Sequence, residues 1–189
     1  MTSPRPRSPR PTKDDLLSAR GLPVPDLIAS GLKVLFCGIN PGLYSGAVGH
    51  HFARPGNRFW TTLFRAGFTD RLIAPSDERQ LLRFGYGITN IVNFATGQAR
   101  ELSPQALQTG AAVLRTKVAE FRPRVLAVLG IDAYRKAFGR PGARVGRQAE
   151  GIDGAELWVL PNPSGINASY QMEDLVRVFS ELRMRAENL

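Results

Sequence analysis

Three short apolar runs constrain the fold of this chain more than any other feature. They are KVLFCGI (33–39), RVLAVLG (124–130) and ELWVLPN (156–162), each rich in Val and Leu and closed by Gly or Pro. Continuous apolar runs of this length are typical of strands that are buried on both faces, as in a parallel sheet. GITNIVN (87–93) is a weaker candidate for a fourth strand.

Segments with helical patterns separate these runs. In the clearest of them Ser103 is a suitable N-cap and Pro104 stands at the first helical position. Strands that alternate with helices predict a mostly parallel sheet covered on both faces. We therefore expect an α/β three-layer sandwich with a central sheet of about four strands. The predicted helices are 57–67, 77–85, 103–121, 131–138 and 170–187.

The chain length and the charge distribution suggest one domain with a basic arm. A length of 189 residues suits one α/β domain, which we assign to residues 14–189. Residues 1–13 carry four basic groups, four prolines and no acid, so we expect a disordered arm there. Its cations, Arg5, Arg7, Arg10 and Lys13, can neutralise phosphates, unless the arm is an inert tail. The formal net charge of +9 likewise favours a polyanionic partner.

The compartment can be inferred from what the sequence lacks. No apolar stretch approaches the roughly 20 residues of a membrane span, and the N-terminal segment has no apolar signal region. The single cysteine, Cys37, cannot form an internal disulfide. These features predict a cytoplasmic protein, and its positive net charge would associate it with the DNA of the nucleoid.

Two loops follow predicted strands and share an unusual composition. One begins GINPG (38–42) and the other reads PNPSGINAS (161–169). Both contain Asn-Pro with a nearby Gly, which is typical of a tight turn. Because ligands of parallel sheets bind at the carboxyl ends of strands, we expect the two loops to lie side by side and form a site.

Several kinds of chemistry are excluded by the motifs that are missing. The glycines of the first loop match neither the P-loop nor the G-x-G-x-x-G fingerprint. No G-x-S-x-G elbow is present. His50 and His51 are adjacent and one cysteine is too few for a metal site, so we interpret the histidines as solvent-facing or hydrogen-bonded loop residues. We expect no cofactor and no metal.

What remains is a pocket of backbone N–H groups, amides and an aromatic face, which suits a flat ring such as a nucleobase. GINPG, followed by FARPGNRFW (52–60) and LPNPSGIN (160–167), resembles the mismatch-specific uracil-DNA glycosylases. They are a branch of the uracil-DNA glycosylase superfamily, which also includes the thymine-DNA glycosylases. The resemblance runs from about residue 24 to about residue 182.

The resemblance implies a role for individual residues. Asn40 would hold the attacking water, and Phe52 would stack on a base that is flipped out of the duplex. The backbone at Gly38 and Ile39 would read the pyrimidine edge, and the volume near Tyr44 and Ser45 would set the tolerance for larger bases. The second motif would insert into the duplex with Gly165 and Ile166 as its wedge; the other loop residues are Asn162, Pro163, Ser164 and Asn167.

One position departs from the family pattern. The stretch GITNIVN ends in Asn93, where the family usually has a carboxylate. Asn93 is a second catalytic candidate, although it could instead end a strand and satisfy backbone groups. Other candidate site residues also have purely structural alternatives. Asn40 could cap a turn, Phe52 could belong to the core, and Ile166 could face the core and hold its loop in place.

Two hypotheses for the function follow. The first is a monofunctional, monomeric glycosylase of base excision repair that acts on double-stranded DNA. It would remove uracil, with thymine and damaged pyrimidines as further candidate substrates, from mismatches with guanine by hydrolysis. Neither motif contains a lysine, which disfavours a Schiff-base mechanism. The second is a damaged-duplex-binding protein, or a catalytically weakened glycosylase, that retains the base pocket.

Overall fold

The structure is a computed structural model that describes residues 10–165 and 169–189. Its strands are β1 (Val34–Gly38), β2 (Tyr86–Asn90), β3 (Val125–Leu129), β4 (Gly146–Arg147) and β5 (Glu156–Leu160). Its α-helices are α1 (Lys13–Ser18), α2 (Leu43–Val48), α3 (Phe59–Arg65), α4 (Pro104–Phe121), α5 (Ile131–Phe138) and α6 (Met172–Glu187). Two 3-10 helices span Pro75–Phe84 and Ala99–Glu101.

The strands form one sheet in the order β2-β1-β3-β5-β4. The first four are parallel, and β4 pairs antiparallel with β5 at one edge. The chain adds β2 on one side of β1 and then crosses over to add β3 on the other side. The topological switch point, where ligands of such sheets bind, therefore lies between β1 and β3.

Alternate side chains of β1 point to opposite faces of the sheet, and each face has its own hydrophobic core. Val34 and Phe36 pack with residues of α3 and α6, while Leu35 and Cys37 pack with residues of α4 and α5. Because every residue of β1 is buried, the strand reads as a continuous apolar run. The result is a three-layer sandwich.

The structure confirms the predicted fold class. All four predicted strands are present, and the sheet gains only the two-residue β4, which is too short to leave an apolar signal. Ser103 caps α4 by accepting from the Ala106 backbone N–H, with Pro104 at its first position. The segment predicted as a helix over 77–85 is a 3-10 helix instead. No helix in the described residues is both long and apolar enough to cross a membrane.

The basic arm is only partly described. Residues 1–9 lie outside the described residues, while Thr12 caps α1 in a capping box with Asp15. The boundary that we drew after residue 13 thus falls at the start of a helix. The disordered arm itself stays a prediction.

Candidate functional site

A cavity of about 190 Å³ opens at the carboxyl ends of the parallel strands. It is lined by the residues that end or follow three of them. These are Gly38, Ile39, Asn40, Pro41, Gly42, Ser45, His51, Phe52, Arg54 and Asn57 after β1, Asn90, Thr96, Gly97 and Ala99 after β2, and Asn162 and Ser164 after β5. The two Asn-Pro loops therefore meet in one cavity, as expected.

Asn40 is held in one orientation by the groups around its amide nitrogen. Nδ2 donates to the carbonyl oxygen of Pro41 at 3.0 Å, to that of Phe94 at 3.3 Å and to Thr96 Oγ1 at 2.8 Å. Thr96 in turn donates to the carbonyl oxygen of Gln98 at 2.9 Å, so its hydroxyl accepts from Asn40. Because carbonyl oxygens only accept, the amide cannot be turned around. The side-chain Oδ1 is left as an acceptor beside the cavity.

Gly38 brings the end of β1 against the end of β2. The two strands are in register there, with Gly38 opposite Asn90. A side chain at position 38 would collide with Asn90 Oδ1 and lie 3.2 Å from Phe52 Cζ, so glycine is required. Asn90 is 4 % exposed, and its Nδ2 has no hydrogen-bond partner among the described residues. A buried donor without a partner costs about 1–3 kcal/mol, as is typical of a group reserved for a ligand.

Phe52 is presented to the cavity by a strained backbone. Its φ is +52°, a left-handed conformation that is unfavourable for a bulky residue. One face of its ring stacks on Phe59, with the ring centroids 4.1 Å apart. On the C-terminal side the Ala53 N–H donates to Ser45 Oγ at 3.2 Å. The ring is thus fixed from behind, and the half-buried residue lines the cavity.

The carboxylate of Glu78 anchors the N-terminal side of Phe52. Glu78 Oε2 accepts from the His51 backbone N–H at 2.8 Å and from His51 Nδ1 at 2.9 Å. Glu78 Oε1 lies 3.2 Å from His50 Nδ1, which donates to it. Burial raises the pKa of the Glu78 carboxyl, but the hydrogen bonds from His51 and His50 outweigh burial and hold the pKa below its ordinary value. The carboxylate therefore stays ionised and clamps the loop that carries Phe52.

All the polar groups of His51 but one are hydrogen-bonded within the described residues. Its carbonyl oxygen accepts from Trp60 Nε1 at 3.1 Å, and Glu78 takes its backbone N–H and Nδ1. Nε2 is buried and has no partner among the described residues. The histidine is 2 % exposed, so the sequence-based interpretation of a hydrogen-bonded loop residue holds, whereas the solvent-facing alternative does not.

The second Asn-Pro loop is fastened to the start of α3 by Arg58. The Arg58 backbone N–H donates to the carbonyl oxygen of Pro163 at 3.0 Å, and Nη2 donates to that of Ser164 at 2.8 Å. Nη1 donates to the carbonyl oxygen of Tyr170 at 2.6 Å, beyond the loop. Within the loop the Ser164 N–H donates to Asn162 Oδ1 at 3.1 Å, which closes a tight turn. Arg58 therefore holds the chain on both sides of residues 166–168.

The cavity gathers most of the residues that the sequence singled out. Gly38, Ile39, Asn40, Ser45, Phe52, Asn162 and Ser164 all line it. Gly165 lines a neighbouring groove with Arg54, Pro55, Gly56, Asn57 and Ser164. Ile166 and Asn167, the predicted wedge tip and its neighbour, lie outside the described residues.

Besides Gly165, three of the named and described residues do not line the cavity. Asn93 is exposed, Tyr44 is half-buried and Pro163 is buried, and none of the three is part of the cavity wall. Pro163 contributes only the carbonyl oxygen that Arg58 binds. The segment after β2 does reach the cavity, but through Asn90 and Thr96 rather than through Asn93.

Sequence reasoning missed three polar contributors to the site. Asn90 could have been found, because a polar residue that ends a buried parallel strand next to β1 must lie at the same edge of the sheet. Thr96 and Glu78 carry no local signal, since their roles depend on partners 56 and 27 residues away in the sequence.

A larger cavity of about 480 Å³ lies between α5 and the segment around β4. Charged side chains at this cavity are neutralised in pairs, Arg140 with Glu150 and Arg115 with Asp153. Within the described residues no group of three or more His, Cys, Asp or Glu side chains could hold a metal ion. The smaller cavity is therefore the better candidate for a functional site.

The arrangement suits the binding of a single flat ring. One aromatic face, one buried amide donor and one oriented amide acceptor surround a space that is below the roughly 300–1,000 Å³ of sites for drug-sized ligands. Among the described residues, the wall contains no Asp, Glu or Lys. Chemistry here must rely on positioned amides, backbone groups and the imidazole of His51 rather than on a carboxylate or an amine.

Comparisons with known proteins agree with this geometry. The sequence profile of the uracil DNA glycosylase superfamily matches residues 25–183. The fold is similar to the solution NMR structure of a protein from Methanosarcina acetivorans that is described as a candidate uracil DNA glycosylase. The two are 19 % identical, with a TM-score of 0.57, and the match covers 87 % of this chain and 98 % of that one. Since the profile spans most of the sequence and both of its Asn-Pro loops, the chain belongs to the uracil DNA glycosylase superfamily.

Proposed function

We propose that the protein is a monofunctional glycosylase that hydrolyses the N-glycosidic bond of uracil in double-stranded DNA, with uracil opposite guanine as its preferred substrate. The observation that carries the proposal is the orientation of Asn40. Three acceptors hold its Nδ2, which leaves Oδ1 to accept a hydrogen bond from a water molecule. A water held in this way can attack the sugar carbon as the base departs.

The expected reaction is slow. An amide oxygen positions a water molecule but removes its proton poorly, so the sugar must develop oxocarbenium character before attack. Most of the rate enhancement must then come from stabilising the departing base anion. Backbone N–H groups at Gly38 and Ile39 and the buried amide of Asn90 are suited to that task because they are fixed before the reaction.

Recognition of the base combines stacking with polar contacts. The face of Phe52 that is not covered by Phe59 supports a flipped pyrimidine, a contact worth about 1–3 kcal/mol per base. The unpartnered Nδ2 of Asn90 can donate to a carbonyl oxygen of the ring. Uracil supplies such an oxygen, and its small size suits a cavity of about 190 Å³.

The reaction is proposed to end at an abasic site. Formation of a Schiff base requires an amine nucleophile, and the described wall of the cavity contains no lysine. The wedge assigned to Ile166 would hold the duplex open while the base is outside the helix.

One observation favours the alternative of a protein that binds damaged duplexes with negligible turnover. The part of the cavity wall that the structure describes contains no carboxylate, and Asn93 is exposed where the resemblance leads one to expect an acid. In that case binding would persist without release of the base.

A panel of duplexes tests the proposal. Uracil, thymine, hypoxanthine and ethenocytosine are placed opposite G and opposite A, and abasic sites are counted under single-turnover conditions. We expect uracil to be excised faster opposite G than opposite A. The single-turnover rate should fall by roughly 10²-fold in Asn40→Ala. Selective binding of the uracil duplex without any abasic product would favour the alternative, and neither binding nor excision would refute both.

A further inference from the structure

Basic side chains lie at the amino ends of the parallel strands, on the side of the sheet opposite the cavity. Lys33 immediately precedes β1 and Arg124 immediately precedes β3, while Arg83 lies three residues before β2. Arg122 ends α4 in the left-handed conformation, with φ at +48°. All four side chains are exposed, and we call them the basic edge.

Backbone hydrogen bonds hold these loops against one another. The Lys33 N–H donates to the carbonyl oxygen of Gly85, and the Arg124 N–H donates to that of Leu32, each at 2.8 Å. Since Val34 and Val125 are paired in register, Lys33 and Arg124 stand about one strand spacing, roughly 4.8 Å, apart. Lys33 and Arg124 are thus close neighbours on a rigid scaffold, and Arg122 and Arg83 lie two residues in sequence from Arg124 and from Gly85, respectively.

The charges of the basic edge are not neutralised by the protein. In residues 10–165 and 169–189, none of the four side chains forms an ion pair with an acid. Glu156 lies at the same end of the sheet but is bound by Arg185 at 2.9 Å and by Arg147 at 2.8 Å. Glu120, near the end of α4, is exposed. Clustered like charges repel one another, and a polyanion would relieve that repulsion.

The basic edge is too far from the cavity to share its ligand groups. Lys33 precedes Gly38, the last residue of β1, by five positions, and a rise of about 3.3 Å per residue separates the two by roughly 16 Å along a buried strand. A duplex whose base enters the cavity lies across the carboxyl ends of the strands. It cannot reach the amino ends at the same time.

We propose that the basic edge is a second DNA-binding surface, which holds the phosphates of another duplex segment while the cavity face holds the first. Three of the four residues are arginines, whose planar guanidinium groups bind phosphate well. The edge is made of exposed turns that begin strands, so it offers charge without base readout, as sequence-independent binding to a phosphate backbone requires. A protein with two such faces can bridge DNA segments and pass from one to the other.

A bridging assay with the full chain tests this surface. A plain duplex without uracil is fixed to beads, the protein is added, and capture of a second, fluorescent plain duplex is measured against salt concentration. Lys33→Gln with Arg124→Gln is compared with a matched control, Lys136→Gln with Arg144→Gln. The control pair also removes one lysine and one arginine that are exposed and have no ion pair among the described residues.

The expected result is capture by the wild type that the basic-edge variant loses and the control keeps. At salt concentrations low enough for the variant to keep measurable capture, its plot of log affinity for the second duplex against log salt should have about two units less slope than that of the wild type, because roughly 0.9 unit accompanies each neutralised phosphate. Single-turnover excision on an isolated uracil duplex should be unchanged in both variants.

Three results would overturn the proposal. They are no bridging by the wild type, bridging that survives in the basic-edge variant, and equal loss in both variants. Binding of a poly-glutamate peptide that depends on Lys33 and Arg124, with no capture of a second duplex, would assign the edge to an acidic protein instead. Because both duplexes lack uracil, these outcomes do not depend on the proposed excision activity, and either proposal can fail alone.

Discussion

The clamp that Glu78 forms on the loop before Phe52 leads to the sharpest prediction, through the substitution Glu78→Gln. The carboxylate accepts three hydrogen bonds, two from His51 and one from His50, at 2.8–3.2 Å. A glutamine keeps one acceptor oxygen, so it can retain the two bonds from His51 but places an NH₂ group against His50 Nδ1. The volume of the side chain is unchanged, and only charge and acceptor capacity are lost.

The magnitude follows from the kinds of bond involved. A hydrogen bond to a charged partner contributes about 1.5–3 kcal/mol and a neutral one about 0.5–1.5 kcal/mol. The two retained bonds therefore weaken by roughly 1 kcal/mol each and the third is lost, while relief from burying a charge offsets part of the total. We expect the free energy of unfolding to fall by about 2–3 kcal/mol, which lowers Tm by roughly 5–10 °C in a domain of this size.

At temperatures where the variant is still folded, its excision rate should fall although the fraction of folded protein hardly changes. Phe52 has a strained backbone and relies on Glu78 and Ser45 on either side, so its ring should shift once one anchor weakens. A small misplacement of a stacking group can slow a reaction by up to about 10²-fold. We expect single-turnover excision of uracil to slow by about tenfold or more, with the binding of plain duplex unchanged.

Thermal melts and single-turnover assays on Glu78→Gln and on a control, Glu101→Gln, measure both effects. Glu101→Gln also removes a carboxylate, the one that pairs with Arg20 at 2.7 Å, but this pair is exposed and should matter little. Equal melting temperatures for the two variants would refute the clamp. A stability loss without a change in the excision rate at low temperature would show that Glu78 does not position Phe52.

Four other side chains can be tested in the same way. Asn93→Asp should leave excision unchanged if the exposed position of Asn93 persists on DNA, and a faster rate would restore it as a catalytic residue. The Arg185 guanidinium, with Trp158 and Arg147, lowers the pKa of Glu156 to about 2. The stability that the ionised Glu156 contributes is therefore fully present above the pKa of the unfolded state, about 4.3, and is lost as the pH falls toward 2. Over that range the Tm of Glu156→Gln should depend less on pH than the Tm of the wild type. Burial raises the pKa of the Cys37 thiol, which should react with a thiol reagent only at the rate of global unfolding. Ile166→Ala should slow excision more in duplex than in single-stranded DNA, and equal losses on both would argue against a wedge.

Some of the site could be predicted because its signals are local. The loops after β1 and β5 carry Asn-Pro and Gly at short spacing, and each directly follows an apolar run that forms a buried strand. The rule that parallel strands end at one edge then brings Asn40 and Asn162 together without any coordinates. Phe52 follows the first loop closely enough to be part of the same wall.

The rest depended on contacts between distant parts of the chain. Asn90 and Asn93 are equally polar and only three residues apart, yet Asn90 ends β2 opposite Gly38 and is buried, while Asn93 is exposed past the end of the strand. A strand reverses the direction of its side chains at every residue, so the residue that faces the cavity is decided by where the strand ends and how it is paired.

What the sequence by itself determined is the order of the four long strands and of helices α3 to α6, the parallel sheet and the identity of two turns, because periodicity, capping and turn chemistry act within a few residues. Only the tertiary structure decided that the 3-10 helix at Pro75–Phe84 delivers Glu78 to the histidines before Phe52, and that four cations from separate loops share one edge. The partners of a side chain across a core follow from the packing of whole elements, and that packing is a property of the folded chain rather than of any short stretch of it.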